Sequence, residues 1–333
     1  MKKLDAIVYI GRFQPFTNAH YQIVSTALRL AKKVIVFIGS AKVARSTRNP
    51  WTAEERKDMI SAIKDFKDRN IEFVLQPNSN YNTEGWWVKD VQSKVKGLTK
   101  KDDKIGIIGF KKDSSSFYLD LFPQWDFIKV NDFGISATPI RESFFTTAIV
   151  DWNLVHPDIK NWILNWKERN PNFYNYIFNE FEHINKFKEQ YKNYPYPPTF
   201  ITTDAMVICK GHILLIHRKY NPGKDLYAMP GGFLNVKEKL VDCCIRELKE
   251  ETKIDINKLV LKNNIKMEKY FDDPYRDPRG RSITHCFLFN LKLKDLPIVK
   301  GSDDAYGAQW IPSASSEPLT IGKSLSFKLN RKQ

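Results

Sequence analysis

The chain has 333 residues, a formal net charge of +15 and 42% hydrophobic residues, enough apolar content for two packed domains and too much for a disordered chain. Its longest apolar runs, such as 6–10 and 34–38, fall far short of the ~20 residues of a membrane span. The positive charge suits phosphorylated small molecules as well as nucleic acid. No block of five like charges and no nucleic-acid motif occurs, so the expectation is no nucleic-acid partner and no membrane partner.

In chain order, the first ~150 residues alternate short β-branched runs with amphipathic stretches. Strands are predicted at 4–10, 33–39, 71–76, 104–109 and 126–130, and helices at 19–32, 52–66, 85–96 and 114–121. Strand then helix, repeated, implies a parallel sheet with helices on both faces, a Rossmann-like α/β fold. Thr52-Ala-Glu-Glu55 is a capping box ahead of Met59, Ile60 and Ile63. Residues 151–190 read as aromatic-rich helices, a tail of the first domain. Tyr194-Pro-Tyr-Pro-Pro-Thr199 is a stiff break. The predicted domains are therefore 1–190 and 199–333, joined by a Pro-rich linker at 191–198. Beyond the break, strands at 200–209, 212–218 and 283–291 and one strong helix at 238–253 imply an α/β/α sandwich with a mixed sheet.

Cys209, Cys243, Cys244 and Cys286 lack metal-ligand spacing, and the opening Met-Lys-Lys-Leu-Asp is not a secretory h-region. The expectation is a cytoplasmic protein with reduced thiols. The sequence is compatible with a monomer or a homo-oligomer.

Immediately after the first strand stands Gly11-Arg-Phe-Gln-Pro-Phe-Thr-Asn-Ala-His20, a strand exit and tight turn into a helix. Such a helix start offers unpaired N–H groups and a positive dipole end to phosphate, with His20 as a further donor. Late in the same domain, Gly134-Ile-Ser-Ala-Thr-Pro-Ile-Arg141 opens another helix, with Ser136 and Thr138 as cap residues and Arg141 as a fork for phosphate oxygens. Taken singly, each is also a common structural feature: a turn, a helix-start histidine, a surface arginine.

Together they resemble the nucleotidyltransferase superfamily with an (H/T)-x-G-H motif and a late I-S-x-T-x-I-R motif. The string Gly-Arg-Phe-Gln-Pro-Phe, Asn49-Pro-Trp-Thr-Ala-Glu-Glu-Arg56 and Lys112-Asp-Ser-Ser-Ser-Phe-Tyr-Leu119 resemble its nicotinamide mononucleotide (NMN) adenylyltransferase branch. The resemblance implies that ATP and NMN give NAD and pyrophosphate, with alignment and charge neutralisation doing the work. It implies that Gly11, Arg12, Phe13, Thr17, His20, Arg48, Ser136, Thr138 and Arg141 hold ATP, with Arg12, His20 and Arg141 catalytic. Asn82 and Trp86 would hold NMN; Trp86, beside Trp87, has a place in the core as its alternative. Thr17, Ala19 and Phe110 depart from this branch, which usually has His, Gly and His there.

Further on, Gly232 is followed by Glu238, then Arg246-Glu-Leu-Lys-Glu-Glu251. Glu247, Glu250 and Glu251 fall at i, i+3 and i+4, one face of a helix, and such carboxylates repel unless a divalent cation joins them. The spacing resembles the Nudix box, with Lys253 in place of the final Gly. The resemblance implies Mg²⁺ or Mn²⁺ held by Gly232, Glu247, Glu250 and Glu251, with Glu247 and Glu251 catalytic, and an Arg246–Glu238 pair bracing the loop. Residues 275–284 and 301–305 resemble ADP-ribose pyrophosphatases. By that likeness Arg276, Arg279 and Arg281 bind ADP-ribose, the alternative being plain turn arginines, and Asp303 or Asp304 adds an acid or caps a loop.

The whole resembles the bifunctional NMN adenylyltransferase/Nudix hydrolase family. That implies NAD synthesis in the first half and metal-dependent cleavage of ADP-ribose to AMP and ribose 5-phosphate in the second. The alternative is a Nudix domain that binds ADP-ribose or a related dinucleotide as a sensor without cleaving it.

Overall fold

The computed structural model describes residues 4–77, 84–110, 114–302 and 305–313. Asn82, Asp303 and Asp304 lie outside the described residues. The chain divides into two compact units, one reaching to Phe178 and one beginning at Asn179.

In the first unit the strands are β1 (Leu4–Gly11), β2 (Ala31–Ile38), β3 (Ile71–Leu75), β4 (Ile105–Gly109) and β5 (Asp126–Lys129), all parallel, in the order β3-β2-β1-β4-β5. Ala6 to Ile10 of β1 are all buried, as a central strand covered on both faces requires. One face packs Ala6, Val8, Ile10, Ile35, Phe37 and Ile107 against Val91 and Val95 of α3 (Glu84–Leu98). The helices α1 (Asn18–Leu30) and α2 (Ala53–Ser61) bury Ile23, Val24, Ala27, Met59 and Ile60. The expected capping box is present: Thr52 Oγ1 accepts from Glu55 N and Glu55 Oε2 from Thr52 N.

Two expected helices are shorter than read. α1 stops at Leu30 because Ala31 already pairs in β2, and the 52–66 segment breaks after Ser61 into a 3₁₀ turn at Lys64–Phe66. The 114–121 segment is wholly 3₁₀. After α4 (Ala137–Phe144), α5 (Pro157–Arg169) buries Ile159, Ile163 and Trp166, at the spacing of one helix face. Trp166 meets Trp51 edge-on, and its Nε1 donates to Glu55 at 2.7 Å, which ties the aromatic helices to α2. α6 (Pro171–Glu189) follows, and the division between units falls within it, upstream of the Pro-rich stretch.

The second unit is built on β6 (Thr199–Cys209), β7 (His212–Arg218), β8 (Tyr227–Ala228), β9 (Gly231–Phe233), β10 (Ile265–Phe271), β11 (Arg281–Leu291) and β12 (Ala305–Pro312). The sheet is mixed, in the order β10-β11-β6-β7-β12, with β8 on β7 and β9 on β6; β6 and β11 run parallel over eleven paired positions. Lys210 and Gly211, both at positive φ, form the two-residue turn between β6 and β7. α7 (Leu240–Thr252) lays Cys244, Ile245 and Leu248 on Ala205, Val207, Leu214 and Phe287, and α8 (Lys258–Asn263) adds Leu261. All four cysteines are free and buried. α7 starts at Leu240, so Glu238 precedes the helix rather than opening it. Among the described residues no helix is long and apolar enough to cross a membrane.

Candidate active sites

In the first unit the strand order reverses between β1 and β4, and ligand crevices of open parallel sheets form beyond the strand ends at such a point. The loop leaving β1 there is shaped by its own motif. Phe13 adopts left-handed backbone (φ 53) and is buried; a Cβ on Gly11 would lie 2.5 Å from its ring. Gly11 therefore makes room for Phe13, and the Phe13 side chain packs between Tyr9, Phe16 and His20. The Phe13 side chain is thus part of the core beneath the loop, and the loop surface at this position is backbone.

Thr17 is the N-cap of α1, and His20 completes a capping box in the place usually held by Glu or Gln. Thr17 N–H donates to His20 Nδ1 at 2.8 Å, and Thr17 Oγ1 lies 3.0 Å from the same nitrogen. Thr17 is almost fully buried, and its hydroxyl serves the cap. An Nδ1 that accepts from a backbone N–H is unprotonated, so neutral His20 carries its proton on Nε2. Burial lowers its pKa to about 4 and keeps it neutral at physiological pH. The arrangement yields a neutral Nε2–H donor on the first turn of a helix, beside its free N–H groups.

Arg141 of α4 is buried, and it is less available than its motif suggests. Nε donates to Thr47 O at 2.9 Å, Nη1 to Gln14 O at 2.8 Å and Nη2 to Thr138 Oγ1 at 3.3 Å. Burial first, and the nearby charge of Arg48 after it, lower its pKa to about 10 against the pull of Glu142, so it stays charged. Two guanidinium groups held close favour an anion between or beside them. Ser136 caps α4 by accepting from Thr138 N at 3.4 Å. Arg12 is exposed, while its carbonyl is held from within. Trp87 packs on Tyr118 and Phe122 in the core, whereas neighbouring Trp86 is 42% exposed on α3, off the buried stripe.

Two motif residues to which the sequence reading gave no role are central here. Gln14 clasps the Trp51 backbone both ways, donating to its carbonyl at 2.8 Å and accepting from its N–H at 3.3 Å. Arg56 binds the loops after β1 and β2. Neither pairing has a local sequence signal, since the residues joined lie 17 to 44 positions apart.

In the second unit one arginine organises the acidic helix. Arg246 takes Glu238 bidentately at 2.9 Å through Nε and Nη2, and its Nη1 reaches Glu247 at 2.7 Å and Glu250 at 3.0 Å. The Arg246–Glu238 pair is the one the resemblance to the Nudix box implies. Glu251 accepts from Gly231 N at 2.8 Å; burial raises its pKa to about 8, with Glu247 and Asp204 adding to the rise. Burial raises Glu247 as well. Gly232 is a cradle: a Cβ there would sit 2.4 Å from the Glu247 carboxyl group. As the side chains stand, no three Asp, Glu, His or Cys groups among the described residues converge on one point, because Arg246 lies across Glu247 and Glu250.

The three turn arginines do not act alike. Arg276 lies 3.8 Å from Asp204, donates to Ser282 Oγ at 3.1 Å, and has its buried Nε without a partner. Arg279 is bound bidentately by Asp277 and sits over the rings of Phe187 and Phe233. Arg281 donates to the Asp272 carbonyl. Of the three, Arg276 is the one in ion-pair contact with Asp204. Asp204 of β6, which the sequence reading missed, has its pKa raised to about 6 by burial against the opposing charges of Arg276 and Arg218. Arg218 in turn feels Glu251 and Asp204, so the site gathers a cation pair around its buried acids. Lys253 ends α7 in left-handed backbone (φ 51), the cap the motif fills with Gly.

Comparison with known proteins matches a cytidylyltransferase-like family model to residues 8–143 and a NUDIX domain model to residues 200–325. The nicotinamide/nicotinic acid mononucleotide adenylyltransferase of Acinetobacter baylyi is 38% identical over 153 residues, 45% of this chain and 81% of that protein. The ADP-ribose pyrophosphatase of Methanocaldococcus jannaschii is 34% identical over 122 residues, 37% of this chain and 66% of that protein. A crystal structure of a bifunctional NMN adenylyltransferase/ADP-ribose pyrophosphatase from Francisella tularensis, complexed with AMP and a manganese ion, superposes with a TM-score of 0.88 at 33% identity. The match covers 96% of both chains.

Proposed function

Since the chain belongs to the bifunctional NMN adenylyltransferase/ADP-ribose pyrophosphatase family, we propose that its first unit joins ATP and NMN to give NAD and pyrophosphate and its second hydrolyses ADP-ribose to AMP and ribose 5-phosphate. The observation that carries the reading is that each motif stands assembled on its fold: the His20 cap at the β1/β4 reversal, and the Arg246-braced acids on α7. In the first site His20 Nε2–H and the α1 N-terminus hold the ATP phosphates while Arg12, Arg48 and Arg141 supply positive charge. Arg141 keeps Gln14 and Thr47 in place as it does so. The NMN phosphate attacks the α-phosphorus and pyrophosphate leaves, so alignment and neutralisation suffice. Trp86, 42% exposed on α3, is the aromatic side chain we assign to stack on the nicotinamide ring.

In the second site the Gly232 cradle and the repelling Glu247, Glu250 and Glu251 fit a divalent cation, Mg²⁺ or Mn²⁺. When bound, it supplies the charge that polarises the diphosphate and makes water nucleophilic. Arg246 then keeps Glu238 and the loop fixed, Glu251 stays aligned by Gly231 N–H, and Arg276 turns its unpartnered Nε to a phosphate oxygen. We read the protein as cytoplasmic, with no nucleic-acid or membrane partner.

The test is a chromatographic product assay with Mg²⁺, giving ATP plus NMN in one vessel and ADP-ribose in another. NAD and AMP are the expected products. Because Arg246 lies across two of the acids, a sensor reading of the second unit is the competing one. ADP-ribose binding without AMP would establish that reading, and absence of NAD would remove the first assignment.

A further inference from the structure

Arg56 on α2 is 1% exposed, yet its partners are all backbone carbonyls. Nε donates to Thr52 O at 3.0 Å, Nη1 to Arg12 O and Gly39 O at 2.6 Å each, and Nη2 to Ser40 O at 3.2 Å. Among the described residues no carboxylate is in salt-bridge contact with it; Glu54 and Glu55 act on it only through space. Burial lowers its pKa to about 10, which still leaves it charged at neutral pH. Burying an unpaired cation is costly, and an apolar side chain would fill the same helix face more cheaply. The gain is therefore geometric.

Three of the four carbonyls lie off α2, in the loops that leave β1 and β2 beside the crevice, and Gly39 N–H donates to Gly11 O at 2.8 Å to join those loops. A carbonyl fixed on the guanidinium fixes its peptide plane. In a trans peptide the following N–H then points away from Arg56, and for the Arg12 carbonyl that N–H belongs to Phe13. Ser40 holds left-handed backbone (φ 53), a conformation that persists in a non-glycine residue when its surroundings enforce it. Lysine is no substitute, since three donors on one nitrogen do not span four carbonyls as a planar fork does.

We propose that Arg56 is a positioning residue of the nucleotide site: it touches no substrate and locks the loops after β1 and β2 into one rigid wall that presents N–H groups and the Arg12 side chain to the triphosphate. The inference rests on reading this unit as an ATP-using transferase.

The full chain, Arg56→Lys and Arg56→Ala are compared for kcat and KM with ATP and NMN, for thermal melting, and for Arg56→Ala with millimolar guanidinium added. Both variants are expected to lose about a hundredfold in kcat/KM for ATP, as a small misplacement of aligned groups does. The NMN KM is expected to stay close to wild type. Guanidinium is expected to restore part of the Arg56→Ala activity, whereas a merely unstable variant would gain nothing from it at millimolar concentration. ATP kinetics like wild type, or losses that follow the unfolded fraction with no rescue, overturn the proposal. Should Arg56→Ala fail to fold, the ATP-against-NMN split in Arg56→Lys decides. If the wild-type chain makes no dinucleotide, the transferase reading fails instead. Calorimetric ATP binding then judges Arg56 alone, with weakened binding in Arg56→Lys supporting it and equal binding overturning it.

Discussion

The two units bury charge in opposite ways. In the first, Arg56 and Arg141 are buried cations whose bonds go mainly to carbonyls of the surrounding loops. In the second, a single partly exposed guanidinium, Arg246, gathers three carboxylates. The first unit thus uses the charged side chains of Arg56 and Arg141 to hold loop backbone, and on the proposed reading His20, Arg12 and loop N–H groups meet the nucleotide. The second presents its motif side chains directly. Substitutions should separate accordingly: charge removal should abolish the second activity with little loss of fold, while the first should respond to changes in geometry.

The sharpest break of that comparison is Glu251→Gln. The amide still accepts from Gly231 N–H, so the loop is kept while the carboxyl group that can ionise to hold a cation or take a proton is lost. ADP-ribose hydrolysis should fall on the order of a thousandfold with NAD formation unchanged. Hydrolysis within a few-fold of wild type would show that the acidic helix is not the reacting centre.

Next in size is His20→Ala, which removes both the capping box and the Nε2–H donor; kcat for NAD formation should drop about a hundredfold. The sign of its pH effect follows from the lowered pKa. Below the ordinary value of 6.5 the unfolded chain takes up a proton that folded His20 refuses until about pH 4. Its contribution to stability is therefore full above pH 6.5 and is lost as pH falls from there toward 4. The difference in melting temperature between wild type and His20→Ala should shrink over that window. A difference independent of pH would mean that His20 is not held neutral.

How much of this was legible follows from where the information lies. β1 and β2 announced themselves because a strand covered on both faces needs an unbroken apolar run. β10 did not, because as an edge strand it exposes five consecutive residues, 266–270, and shows no alternation. β12, at the opposite edge, is largely half-buried or exposed with no apolar alternation, and α8 has only six residues in which to show a helical period. In the sites, what a cap dictates was readable, as in the Thr52–Glu55 box, and the Arg246–Glu238 pair followed from the resemblance to a known motif. Arg56, Gln14, Asp204 and Arg218 were not, because their meaning arises only when distant strands and loops meet. The same holds for Phe13 and Thr17: the motif marked them, but packing turned their side chains inward.

Trp86 sharpens the comparison at a smaller scale, since it is an exposed side chain of the first unit whose removal should leave the backbone-built phosphate site intact. Trp86→Ala should raise the NMN KM about tenfold, the worth of one aromatic stack, with the ATP KM unchanged. Equal changes in both would indicate a disturbed fold, and no change would place the nicotinamide elsewhere.

The smallest effect tests whether the one departure from the Nudix box concerns the chemistry or only the helix end. Lys253 holds φ 51 and ψ 25 at the end of α7, and its N–H donates to Lys249 O to close the last turn. A Cβ in that region costs about 1 kcal/mol relative to glycine, so Lys253→Gly should stabilise the second unit by roughly that amount in chemical denaturation. Its side chain is exposed and it follows Glu251 by two positions on the terminating turn, where the chain leaves the acidic face. ADP-ribose hydrolysis should therefore keep its wild-type kcat. A gain in hydrolysis without a gain in stability would mean that the cap sets the position of Glu251, and the second site too would then depend on backbone geometry.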